Sequence, residues 1–175
     1  EQAGEFFDEY YKHPAPNKVL QSLATVQATN LAGKTMKQIW LIGFYGRAFA
    51  DNPMQVNSWA AQSRYLGPQT RRMVLRAVWK SGIGQAEQIL NQEAAAMRQD
   101  REFIKQLIQK RAPNPLTQPI RDQAALQMLW GGFSASGDPT YVRRVIDVAI
   151  REQQPAEQGK EDRLLIVAAR WSLRN

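Results

Sequence analysis

Gly33-Lys34-Thr35, inside "TNLAGKTMKQ" (29–38), are the last three residues of a phosphate-binding loop. The full loop is Gly-x-x-x-x-Gly-Lys-Thr between a strand and a helix. Its glycines let backbone amides curl around phosphate, its lysine neutralises the charge and its hydroxyl holds magnesium. Here the first glycine is replaced by Ala28, and the preceding segment has helical periodicity. No later apolar strand ends in an aspartate to hold the metal; "LLIVAARW" (164–171) is the nearest apolar run and carries none. The expectation is a helix–helix turn, with Gly33 closing one helix and Thr35 capping the next, and no nucleotide or other cofactor.

Other reactive groups are sparse. His13 is the single histidine, set between Lys12 and Pro14. A zinc site needs several ligands, and no His-Glu-x-x-His pattern supplies them, so the expectation is an exposed turn residue and no metal. Asp8 and Glu9 are adjacent carboxylates, but "EFFDEYY" (5–11) reads as a short helix packing Phe6, Phe7, Tyr10 and Tyr11 inward. Glu93 and Asp100 read as the surface of a polar helix. A glycosidase-like site needs two carboxylates facing each other across a cleft, and no stretch presents them. The absence of cysteine excludes disulfides, thiolate metal sites and cysteine nucleophiles.

Basic pairs remain as binding candidates. Arg72 and Arg76 are one turn apart on one helix face, and Arg143 and Arg144 follow the helix start at Asp138-Pro139. Either pair could meet an acidic partner, against the plainer reading of solvated helix surface. Trp59 is placed in the core between helices rather than on a partner-binding surface.

The elements that carry these residues are helices throughout. No hairpin turn or alternating β-branched run is present. "NKVLQSLATVQA" (17–28) puts Val19, Leu20, Leu23 and Val26 on one face, with Asn17 as its cap. "TMKQIWLIGFYGRAFA" (35–50) is apolar nearly all round, which predicts burial on several sides. Asn52-Pro53 and Asp138-Pro139 each read as a cap followed by proline at the first helical position. Helices are expected over 53–66, 69–81 with Met73, Val74, Ala77 and Val78 inward, 83–99, 120–133, 139–153 and 161–173, with 100–110 continuing or restarting. Tyr141, Val142, Val145, Ile146 and Ala149 form the stripe of the 139–153 helix. This predicts an all-α fold of about eight or nine helices in antiparallel hairpins.

Three junctions are alike: "FYGRAFADNPMQVNSWA" (44–60), "VWKSGIGQAEQIL" (78–90) and "LWGGFSASGDPTYVRRVI" (129–146). Each joins an apolar helix, a polar turn and an amphipathic helix. Trp40, Trp79, Trp130 and Trp171 fall at intervals of 39, 51 and 41 residues, near the period of stacked helical hairpins. The expectation is a degenerate, short α-solenoid or an irregular bundle in one domain, 1–175, with an insertion at 91–119. All four tryptophans are expected inside, Trp171 at least in part. Gly43, Gly46, Gly131 and Gly132 should mark close helix crossings. "ARWSLRN" (169–175) reads as the inner helix of a further unit. "LWGGFSASGDPTYVRRVI", "ARWSL" and "FADNP" resemble a family of uncharacterised bacterial all-helical proteins with hairpin repeats, loosely like tetratricopeptide architecture. The resemblance implies a bacterial helical protein and transfers no functional residues.

The chain has 175 residues, enough for one self-supporting core. Its net charge of +7 favours acidic partners. The basic residues are scattered without a run of five, which fits nucleic acid poorly. No apolar run is long enough to span a membrane. The first residue is Glu1 rather than Met, which reads as a removed leader or a trimmed chain; the expectation is export to the periplasm, with the cytoplasm as the alternative. The function expected is a non-catalytic protein–protein interaction module, an adaptor or scaffold. A toxin-neutralising immunity-type protein and an unrecognised helical hydrolase are the alternatives.

Overall fold

The apolar run 40–50 has no polar face, and its burial organises the molecule. The computed structural model describes residues 2–110, 114–150 and 160–174. Ten α-helices lie along them: α1 (Gln2–Glu9), α2 (Val19–Ala28), α3 (Thr35–Asp51), α4 (Pro53–Gln62), α5 (Pro68–Lys80), α6 (Ala86–Ala96), α7 (Arg101–Gln109), α8 (Gln123–Ser136), α9 (Pro139–Ala149) and α10 (Lys160–Ser172). No strand occurs among the described residues. The fold is all-α, built of antiparallel helical hairpins. The helix count exceeds the expectation because the stretch 83–110 divides into α6 and α7 at a tight turn, Arg98–Asp100.

The hub is α3. Both α8 and α5 pack along it, and α9 and α10 follow on α8. A Cβ on Gly43 would strike the Met128 carbonyl, and one on Gly131 would strike the Trp40 carbonyl. Residue 40 therefore faces 131 while 43 faces 128, so α3 and α8 run antiparallel with backbones in contact. Gly46 faces Ala77 and Lys80 of α5, and Gly132 faces the Tyr141 ring. Of the four expected crossing glycines, Gly43 and Gly131 sit where backbones touch and Gly132 sits against a ring, while a Cβ at Gly46 would make only ordinary contact. Glycine weakens a helix interior by ~1 kcal/mol relative to alanine, and the closer packing offsets it.

The larger core gathers Phe7, Tyr10, Phe44, Tyr45, Phe49 and Trp59 with aliphatic residues of α2 to α7. The Phe44 ring lies 4.9 Å from Phe7 and 5.2 Å from Tyr10, edge to face. Trp59 packs 5.5 Å from Phe49, in the core as expected. The one buried hydroxyl pair in this region, Ser22 with Tyr45 at 2.8 Å, satisfies both groups. A second core joins Leu126 and Leu129 of α8, Tyr141, Val145 and Val148 of α9, and Leu165 and Ala169 of α10. Met73, Val74, Ala77 and Val78 are all buried, as the α5 stripe required.

Several side chains depart from expectation. Trp40, Trp79 and Trp130 are only half-buried, and Trp171 is 66% exposed. The indole of Trp79 reaches the carbonyl of Lys110 at 2.9 Å, so its ring lies at the edge of the core rather than within it. Ile146 is 39% exposed at the rim of its apolar stripe, and Tyr11, 36% exposed, lies in the turn beyond α1 with its ring 5.8 Å from Phe133. Asn52 does not cap α4: its amide donates to the Ala48 carbonyl at 2.8 Å and closes α3 instead. Asn17 lies in a tight turn, Pro16–Lys18, that leads into α2 without a side-chain cap. Asp138 caps α9 as predicted, accepting from the Thr140 amide at 2.9 Å, and Pro53 and Pro139 open their helices.

Candidate binding surface

α5 carries Arg71, Arg72, Arg76 and Lys80 and no acidic residue. Successive helix positions turn by about 100°, so Arg71 and Arg72 must point differently. Arg71 turns inward and is 1% exposed. Its Nε pairs with Asp100, its Nη1 donates to Ser63 Oγ at 3.0 Å and its Nη2 donates to Glu93 at 3.1 Å. Glu93 also accepts two bonds from Arg64, at 2.7 and 3.0 Å. The Ser63 hydroxyl in turn donates a hydrogen bond to the Ala60 carbonyl at 2.6 Å. Two guanidinium groups thus face two carboxylates, and every buried charge in the cluster has a partner. Glu93 and Asp100 are 1% and 3% exposed, which corrects the reading of both as polar surface.

This cluster positions the surface above it. Asp100 stands at the N-cap of α7, but its carboxylate is committed to Arg71 rather than to the helix amides. That pairing fixes the start of α7 on α5. One turn later, α7 brings Phe103 beneath the next two arginines. The Arg72 and Arg76 guanidinium carbons lie 5.3 and 5.2 Å from the Phe103 ring centre. Arg76 also donates to Gln38 at 2.9 Å, tying the patch to the start of α3. Burial first, and the neighbouring Arg72 charge second, push the Arg76 guanidinium below its ordinary value. Neither arginine meets a carboxylate among the described residues.

The other expected pair is not arranged this way. Arg143 is exposed on α9. Arg144 turns toward the chain before α8 and donates to the Gln118 carbonyl at 2.5 Å. It holds that segment in place, and the two pairs share no partner. His13 is exposed, as expected, beside an open hollow of about 470 Å³ that Glu9 and Tyr10 also line. Glu9 pairs with Lys12 at 2.9 Å. Among the described residues no three His, Asp or Glu side chains form a metal-ligand set.

Gly33-Lys34-Thr35 lies between α2 and α3, with no strand before it. The amides of Gly33 and Lys34 are bonded to the carbonyls of Asn30 and Leu31. Thr35 is the first helical residue rather than the cap, and Asn30 takes the left-handed conformation at the turn.

A third feature lies on α10. Leu164, Val167 and Trp171 are 60%, 63% and 66% exposed in one row, while Leu165, Ile166 and Ala169 face the core. No helix is long and apolar enough to cross a membrane among the described residues. Comparison with known proteins finds no matching family model, no similar curated protein and no similar solved structure.

Proposed function

We propose that the chain is a non-catalytic protein-binding module, an adaptor or scaffold whose partner presents carboxylates. The observation that carries this reading is the pair Arg72 and Arg76, side by side on Phe103 and without an acidic partner among the described residues. Guanidinium groups steadied on an aromatic ring lose little freedom when they bind, and their planar forks match carboxylates. Arginine and aromatic residues are also the common anchors of protein interfaces. The exposed Leu164 and Val167 on α10 add apolar surface of the kind a protein partner covers. The net charge of +7 speeds encounter with an acidic protein at low salt. The bacterial, repeat-built character suggested by the sequence belongs to the same reading.

Affinity capture from native-cell extract, at low and high salt, tests it. The expected result is a stoichiometric acidic protein held by the wild type, weakened by salt and lost with Arg72→Glu/Arg76→Glu. Retention of the same partner by the double variant would refute the role of this surface.

A further inference from the structure

A cleft of about 200 Å³ lies on the α3 face that carries Gly43 and Gly46, between the end of α5 on one side and α8, α9 and the 114–116 segment on the other. It shares no residue with the arginine surface. Its floor and walls are apolar at Ile42, Leu116 and Met128, and Arg47, Lys80 and Tyr141 also line it.

The two cations differ in their commitments. Arg47 is held by Asp51 through two bonds of 3.0 Å and interacts with the Tyr141 hydroxyl. Lys80 is half-buried and has no carboxylate or hydrogen-bond partner among the described residues. Its stem passes Gly46, where an added Cβ would sit 3.6 Å from the Lys80 Cβ. Desolvation alone pushes the Lys80 ammonium below the ordinary lysine range. Half-burial of an ammonium costs free energy that an anion would offset, and Lys80 lines an opening large enough to admit one.

We propose that this cleft binds a small monocarboxylate with a short hydrocarbon tail, its carboxylate on Lys80 and its tail against Ile42, Leu116 and Met128. One unneutralised positive charge calls for one negative charge, because Asp51 already answers Arg47. Ile42, Leu116 and Met128 offer a short hydrocarbon an apolar stretch of wall beside the polar Ser81, Asn114 and Tyr141. The volume is below the ~300–1,000 Å³ of sites for drug-sized ligands, so the ligand is small.

Hexanoate is the probe, followed by NMR on the full chain through the Lys80 ε-methylene and Met128 methyl signals. Saturable shifts of both signals with hexanoate, but not with hexylamine or inorganic phosphate, are expected. Lys80→Met should weaken hexanoate about tenfold or more, the usual effect of removing a charged hydrogen-bond partner. Lys105→Met, on the exposed face of α7, should bind as the wild type does. Absence of shifts with hexanoate, equal shifts with phosphate, or undiminished binding by Lys80→Met would each overturn the proposal. If Lys80→Met fails to fold, the wild-type comparison of hexanoate with hexylamine and phosphate decides alone.

Discussion

Arg71 uses all three nitrogen groups of its guanidinium inside the protein, against Asp100, Ser63 and Glu93. Removing it would leave two buried carboxylates short of a partner, a loss of ~3–5 kcal/mol for a buried pair. Arg71→Ala should therefore lower the urea midpoint far more than Arg64→Ala, whose side chain keeps 35% exposure and can be replaced by water. Equal costs would show that the cluster is not the buried unit described. The aromatic residues give a second ordering. Trp59→Ala should cost ~3–5 kcal/mol as a core truncation, and Trp79→Ala less, since Trp79 is half-buried. A larger loss from Trp79→Ala would contradict the placement of the two rings. The buried charges did leave a trace in the sequence. Arg71 shares a helical face with Val74, Leu75 and Val78, and Glu93 shares one with Ala86, Ile89 and Leu90. A charged residue on an apolar stripe announces a buried partner. The partner stays hidden, because Arg71 and Asp100 stand 29 residues apart and only packing brings them together.

At the scale of elements, Gly131 and Asp138 mark the two ends of what local chemistry can show. Gly131→Ala gains ~1 kcal/mol of helix propensity. The new methyl, however, meets the Trp40 backbone carbonyl, which cannot move without parting α3 from α8. Overpacking of this kind costs ~1–3 kcal/mol, so net destabilisation is expected in denaturant titration, and net stabilisation would refute the close crossing. Asp138 caps α9, and Asp138→Ala should cost ~1 kcal/mol near neutral pH. Hydrogen bonds from Thr140 hold the Asp138 carboxyl below its ordinary range. Its contribution is thus present above the unfolded-state value and fades as pH falls through the folded-state value. The cost of Asp138→Ala should shrink in acid, and a pH-independent cost would mean that the carboxylate charge is not what caps the helix. Helix starts at proline and the stop at Gly82, whose φ is +67°, were legible because these residues restrict the backbone on their own. The division between α6 and α7 was legible only as an open alternative, a restart at 100, because the turn at Arg98–Asp100 contains neither proline nor glycine and its Asp100 is held by the distant Arg71.

For the whole molecule, the all-helical class followed from period and punctuation, while the spatial order of helices did not. α3 meets both α5 and α8, and the contact with α8 joins segments far apart in the chain at glycines that were legible as crossing points but not as partners of one another. The binding surface shares this history. Arg72 and Arg76 were visible as a pair one turn apart, but Phe103 beneath them comes from another helix. The most direct test of the central claim is the affinity of the captured acidic partner for the wild type and for Arg72→Ala/Arg76→Ala, by calorimetry at low and high salt. The predicted result is a loss of about tenfold or more in the variant, as for charged hydrogen bonds at an interface, together with a flatter salt dependence, the circular dichroism spectrum being unchanged. Equal affinities and equal salt dependence in the two proteins would contradict it.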